Sequence, residues 1–158
     1  MLEMKSRLFQ IGERRVGDGY PCLIIAEAGV NHNGSVDMAM ELVDAAADAG
    51  ADVVKFQTFK AERVVTRGAA KAEYQKTGGG DSQTMFEMLK RLELSDDDFR
   101  AIAAHARHRG ITFMSKGHLE DIDFLVGIDV PALKIDSAAV VYFSLLRKAA
   151  GTGLPVIL

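Results

Sequence analysis

Apolar and polar positions along the chain alternate between two rhythms. Short β-rich runs, "CLIIAEAGV", "ADVVKFQTF", "GITFMSK", "PALKIDS" and finally "LPVIL", are separated by stretches whose apolar residues recur every three to four positions. Strand and helix patterns alternating in this way imply parallel strands joined by right-handed crossovers, an α/β fold. The helical stretches carry their own punctuation. Ser35 is placed to cap a helix with Met38, Leu42 and Ala46 on its inner face, and Gly50 stops it. Ser95 and Asp98 make a capping box for another, with Phe99, Ile102 and Ala106 inward and Gly110 as the stop. Acids fill its first turn and Arg107, His108 and Arg109 its last, as the helix dipole favours. Further helices are expected from about His118 to Val126 and around Tyr142 to Ala150. A long insert follows the second strand, broken at Gly78, Gly79 and Gly80, with an amphipathic piece around Phe86 and Leu89. Such a βα connection is either a lid or binding loop, or a surface excursion.

Several polar residues break the apolar pattern of the strands. In "VVKFQTF", Lys55 and Gln57 share one face while Val54, Phe56 and Thr58 share the other. Parallel strands are covered on both faces, so a polar face looks into a site rather than bulk solvent. Glu27 interrupts the first strand, Ser115 and Lys116 end the third, Lys134 and Asp136 flank Ile135 in the fourth, and Ser137 closes it. The carboxyl ends of parallel strands are where α/β proteins build active sites. Two readings stand. Glu27, Lys55 and Lys134 form an internal ion-pair network, or two ammonium groups with the Ser115 and Ser137 hydroxyls face a phosphate or carboxylate while Glu27 and Gln57 orient a second substrate. In the loop after the first strand, Asn31 and His32 are candidate substrate contacts, with a loop-ordering hydrogen bond as the other role for His32. His105 is expected to face solvent, and His108 to face solvent or complement the helix dipole.

Composition removes several function classes. A net charge of −3 and a pI near 5.8 leave no electrostatic footprint for nucleic acid. Cys22 is the single cysteine, so no intrachain disulfide exists. No stretch is long and apolar enough for a membrane span and the N-terminus has no apolar signal core, so a cytoplasmic location is the expectation. No histidine pair has metal-ligand spacing, and neither a G-x-G-x-x-G element nor a phosphate-loop lysine motif is present. At 158 residues the chain is one domain, 1–158.

The stretches "GERRVGDGYPCLIIAEAGVNHNG", "ADVVKFQTFKAERVV", "AEYQK" and "MLKRLELS" resemble the sialic acid synthase family, and the pairing of "AEAGVNHNG" with "KFQTF" is the specific part. The resemblance implies a (β/α)8 TIM barrel, here about five βα units of its N-terminal part. It implies an enzyme condensing phosphoenolpyruvate with an N-acyl hexosamine such as N-acetylmannosamine to give a sialic or related nonulosonic acid, with release of phosphate. It implies a divalent metal, Mn2+ or Mg2+, whose ligands are expected beyond this chain. Carried over by position, Glu27 is the acid of the first strand, Lys55 meets phosphoenolpyruvate, Gln57 meets the sugar, and Lys134 and Ser137 hold phosphoenolpyruvate.

Two departures qualify that expectation. Where the family reads Ser-Thr-Pro-Phe, this chain has Ser115, Lys116, Gly117 and His118, and where the family reads Ser-Gly-Glu it has Ser137, Ala138 and Ala139. A catalytically impaired anion- or sugar-binding paralogue and a structural half-barrel are therefore the competing readings. Ending on a fifth strand, the chain is expected to be a fragment, inactive alone, with an open edge suited to homo-oligomerisation.

Overall fold

The computed structural model describes residues 8–70 and 84–158. Its first elements are a hairpin, β1 (Phe9–Ile11) and β2 (Arg14–Val16), turned on Gly12 and Glu13. Gly12 has φ +57°, the left-handed conformation a two-residue hairpin with glycine first requires. The expected strands then follow in order: β3 (Ile25–Gly29), β4 (Val53–Gln57), β5 (Thr112–Lys116), β6 (Leu133–Lys134) and β7 (Val156–Ile157). They lie side by side in that order, parallel throughout, in one five-stranded sheet. This is the βα-unit arrangement of the TIM-barrel family.

Helices α1 (Val36–Asp48), α4 (Asp96–His108), α5 (Ile122–Gly127) and α6 (Phe143–Gly151) connect the strands, with α2 (Ala61–Val64) and α3 (Met85–Leu92) inside the long insert. The Gly78–Gly80 break lies outside the described residues. Ser35 caps α1 by accepting from Met38 N–H, and the Ser95–Asp98 capping box of α4 is formed in both directions. Thr84 and Glu87 make a second capping box on α3. On α1 the inward positions are Ala39, Val43 and Ala46, whereas Met38 is exposed, one position off the expected stripe. The expected third helix is split: a 3-10 turn at Leu119–Asp121 precedes α5, because Asp121 folds back to accept from His118 N–H. No described helix is long and apolar enough to cross a membrane.

The sheet has two faces with different fillings. Val54, Phe56 and Phe113 pack under α1 and α4 with Ala39, Val43, Phe99, Ile102 and Ala106. On the other face Ile11 of the hairpin sits on Val53, Met114 and Ala132, with Ile25 and Ile157 at the margin. Strand alternation continues that second face from Ile25 to Glu27, from Val53 to Lys55 and Gln57, from Met114 to Lys116, and from Ala132 to Lys134. It is therefore apolar toward the amino ends of the strands and charged toward their carboxyl ends.

Candidate functional site

The charged end of that face is assembled by register. Glu27 lies opposite Lys55, Gln57 opposite Lys116, and Lys116 opposite Lys134. Lys55 Nζ is paired with Glu27 Oε2; the lysine side chain is only 11% exposed, and the acid is 54% exposed. A bulge between Glu27 and Gly29 makes this reach possible, and Gly29 adopts φ +56° there. A Cβ at Gly29 would lie 3.3 Å from Glu27 Oε1 and 3.5 Å from Gln57 Nε2, so the bare backbone there leaves room for both polar ends.

The next strands carry a second charged group. Lys116 Nζ donates to Asp136 Oδ2 at 2.8 Å and to His118 Nε2 at 3.3 Å, while the other oxygen of Asp136 accepts from Ala139 N–H at 3.0 Å. Burial, the largest influence on Asp136, pushes its carboxyl up, yet the hydrogen bond and charge of Lys116 and the Ala139 N–H outweigh it and hold it below the usual carboxylate range. Lys134 Nζ donates to Ile135 O at 2.5 Å and has no carboxylate partner among the described residues. Ser137 is exposed at the start of the turn Ser137–Ala139.

Ser115, Asn31 and His32 are placed differently from the residues above. Ser115 pairs in register with Phe56, is fully buried on the helix-facing side, and shares a 2.8 Å hydrogen bond with Thr58 Oγ1. The structure thus does not bring its hydroxyl to the lysines. His32 is completely buried against Phe56, with ring centroids 6.2 Å apart, and its Nδ1 accepts from Gly34 N–H at 3.1 Å. That is the loop-ordering role, and Asn31 beside it is exposed. His105, expected at the surface, is half-buried and 2.7 Å from Asp44 Oδ1, where Arg109 also binds at 2.6 Å, so it helps clamp α1 to α4. The interactions of Lys116 with Asp136 and His118 escaped the sequence reading, although Lys116 and Asp136 each stood among its strand-end polar residues.

The insert is tied to the site from behind. Arg63 of α2 reaches the buried Asp121 at 3.1 Å, and Asp121 holds His118 N–H at 2.9 Å, linking α2 to the loop that carries His118. At the opposite end of the sheet, a cavity of about 560 Å³ is lined by Gly12, Arg14, Asp52, Thr112 and Pro131, remote from the charged cluster. The amino end of such a sheet ordinarily serves stability.

Burial lowers the pKa of His32, and burial followed by the charge of Lys116 lowers that of His118. Both folded-state values thus lie below the ordinary histidine value of 6.5. The unfolded chain takes up protons first as pH falls, so the contribution of these groups to stability is complete above about 6.5 and is lost below it toward the folded values. Urea midpoints measured from pH 7.5 to 5 are expected to decline, with a slope of at most about 1.4 kcal/mol per pH unit for each group. Changing His32 to Asn, which keeps an acceptor for Gly34 N–H, is expected to flatten the curve by about half of that two-group slope; a wild-type midpoint independent of pH would contradict the assignment.

Comparison with known proteins agrees with this geometry. The NeuB family model matches residues 42–158. N,N'-diacetyllegionaminic acid synthase of Legionella pneumophila is 49% identical over 90% of this chain and 40% of its own length. N-acetylneuraminate-9-phosphate synthase of Homo sapiens is 36% identical over 92% of this chain and likewise 40% of its own. The crystal structure of N-acetylneuraminic acid synthetase from Leptospira borgpetersenii superposes with a TM-score of 0.81 at 30% identity, covering 97% of this chain and 49% of that one. The chain thus spans about two fifths of the length of these curated relatives. A family model matched over most of the chain, together with a relative at 49% identity, places it by descent as well as by shape, and the chain belongs to the NeuB family, with synthases of sialic and legionaminic acids among its relatives.

Proposed function

We propose that this chain supplies the phosphoenolpyruvate-holding strand ends of a synthase that condenses phosphoenolpyruvate with an N-acyl hexosamine to give a sialic or related nonulosonic acid. The observation that carries the reading is the state of Lys134. Of the three lysines at the strand ends, Lys55 and Lys116 have carboxylate partners and Lys134 has none among the described residues. An ammonium with no counter-ion among the described residues, three positions before the exposed Ser137, suits an anionic substrate. Lys134 and Ser137 hold the phosphoenolpyruvate anion, and Lys55 meets it with its charge balanced by Glu27. Gln57 and Glu27, both near Gly29, orient the sugar.

In the reaction so proposed, C3 of the enolpyruvate attacks the open-chain aldehyde carbon and a C–C bond forms. Water adds at C2, and the tetrahedral intermediate expels phosphate by C–O cleavage. The residue resembling the family glutamate position is Ala139, whose side chain packs against the apolar core, so no carboxylate acts from that point. A divalent metal in such an enzyme polarises the aldehyde. Among the described residues no three His, Cys, Asp or Glu side chains converge to hold one, so they do not fit that ion. We infer that its ligands lie outside the described residues. A cytoplasmic location and self-association belong to the same proposal.

Calorimetry with phosphoenolpyruvate tests it. Lys134→Ala is expected to weaken binding about ten- to a hundredfold, the loss of one charge-assisted contact. Lys55→Ala is expected to weaken it as well, and Lys148→Ala, on α6 and paired with Asp123, is expected to do nothing. Equal affinity in wild type and Lys134→Ala would overturn the reading.

A further inference from the structure

The register of β5 against β6 sets Lys116 directly opposite Lys134 on the charged face. Neighbouring parallel strands lie about 4.8 Å apart, and like charges directly opposite each other repel. A fold that keeps such a pair needs acceptors around it, and here they can be counted. An ammonium carries three N–H donors. Lys116 uses one on Asp136 and one on His118, and Lys134 uses one on Ile135 O. Among the described residues one donor thus remains on Lys116 and two on Lys134, which together match the three oxygens of a phosphoryl group.

Lys116 is also held rather than loose. Asp136 is fixed by Ala139 N–H through its second oxygen, and the backbone N–H of His118 donates to Asp121, which anchors the loop that carries the imidazole. His118 Nε2 faces an ammonium, which can only donate, so this nitrogen is the unprotonated one and the imidazole stands as an acceptor. The two acceptors limit where the lysine can turn. Against the three lysines of this face stand the two carboxylates Glu27 and Asp136, which leaves a positive excess for an incoming anion.

We propose that Lys116 is a specificity-determining residue of this site, oriented by Asp136 and His118, and that with Lys134 it forms a subsite for the phosphoryl group of a phosphomonoester dianion. The inference rests on the reading of the site as one for phosphoenolpyruvate and adds to it the residue that reads the phosphoryl end. It departs from what the resemblance implies, since the family has a threonine at the position of Lys116.

Binding of inorganic phosphate and of phosphoenolpyruvate, measured by calorimetry on the wild type, Lys116→Met, Lys116→Gln and Lys116→Arg, decides it. Lys116→Met removes the charge and keeps the length of the side chain, and it is expected to weaken both probes about ten- to a hundredfold. Lys116→Arg is expected to stay within about threefold of wild type, since the charge is kept. Lys116→Gln removes the charge while keeping a donor for Asp136, and it is also expected to weaken both probes, by about tenfold. Its polar side chain keeps the test informative if Lys116→Met fails to fold. Wild-type affinity for both probes in Lys116→Met or Lys116→Gln overturns the subsite and leaves the phosphoenolpyruvate reading standing. A wild type that binds neither probe overturns both. A wild type that binds phosphate through Lys116 but not phosphoenolpyruvate keeps the subsite and overturns the synthase reading alone.

Discussion

Replacing Gly34 with alanine is expected to destabilise the protein by about 2–5 kcal/mol, the sum of an overpacking cost and a left-handed backbone cost. Gly34 has φ +81°, and a Cβ placed there would overlap the carbonyl oxygen of Arg91, at the end of α3, well inside 3.0 Å. That atom belongs to backbone and cannot rotate away. The loop Asn31–Gly34 would have to lift off α3, taking with it the hydrogen bond from Gly34 N–H to His32. Gly50 and Gly153 give the comparison, because both have positive φ but a Cβ at either would meet nothing within 4 Å. Alanine at either is expected to cost only the backbone part, about 1–2 kcal/mol. Urea unfolding of the three variants measures the difference, and equal losses at Gly34 and Gly50 would show that the contact with Arg91 is not closed in solution.

Phe56→Ala is expected to lose about 3–5 kcal/mol, the usual range for emptying a buried aromatic position. Phe56 is fully buried, stacked on Phe113 at 5.8 Å between centroids and tilted against His32 at 6.2 Å. It lies between Lys55 and Gln57 in β4, so whatever disturbs its packing also turns the strand that presents those two groups. Phe56→Leu refills much of the space and is expected to cost less than about half as much. Thermal or urea unfolding reads the stability, and phosphoenolpyruvate calorimetry on Phe56→Leu reads the site. Stability of Phe56→Ala within about 1 kcal/mol of wild type, far below the range for a filled core position, would contradict the packing described.

The strand order and the two-faced character of β4 were legible because period-2 alternation is local. Lys55 and Gln57 against Val54 and Phe56 is decided within four residues, and the structure places these side chains on the faces so assigned. The same alternation bears on Ser115: one position before Lys116, it belongs to the opposite face, and its partner Thr58 lies beyond the end of another strand. His32 was ambiguous in sequence because a turn residue can point either way, and only its packing on Phe56 decides. The clamp of His105 and Arg109 on Asp44 depends on how α1 and α4 lie against each other, which helix periodicity does not contain. The β1–β2 hairpin was missed because three-residue strands with Arg14 and Arg15 look polar, although Gly12 followed by one residue is a hairpin turn signal. Its single buried anchor is Ile11.

Ile11 also has a bearing on the order of assembly. The residues it covers include Val53, Met114 and Ala132, so its seat is made by chain that lies up to about 120 positions further on. The hairpin therefore leaves the ribosome before those strands and is expected to dock late, waiting on the β4–β5–β6 ladder before it has anything to cover. Until then the apolar half of that face stands open to water, and loop-closure entropy opposes the docking contact. Weakening Ile11 thus falls on the unfolding rate rather than on the folding rate, as expected for an interaction formed after the transition state.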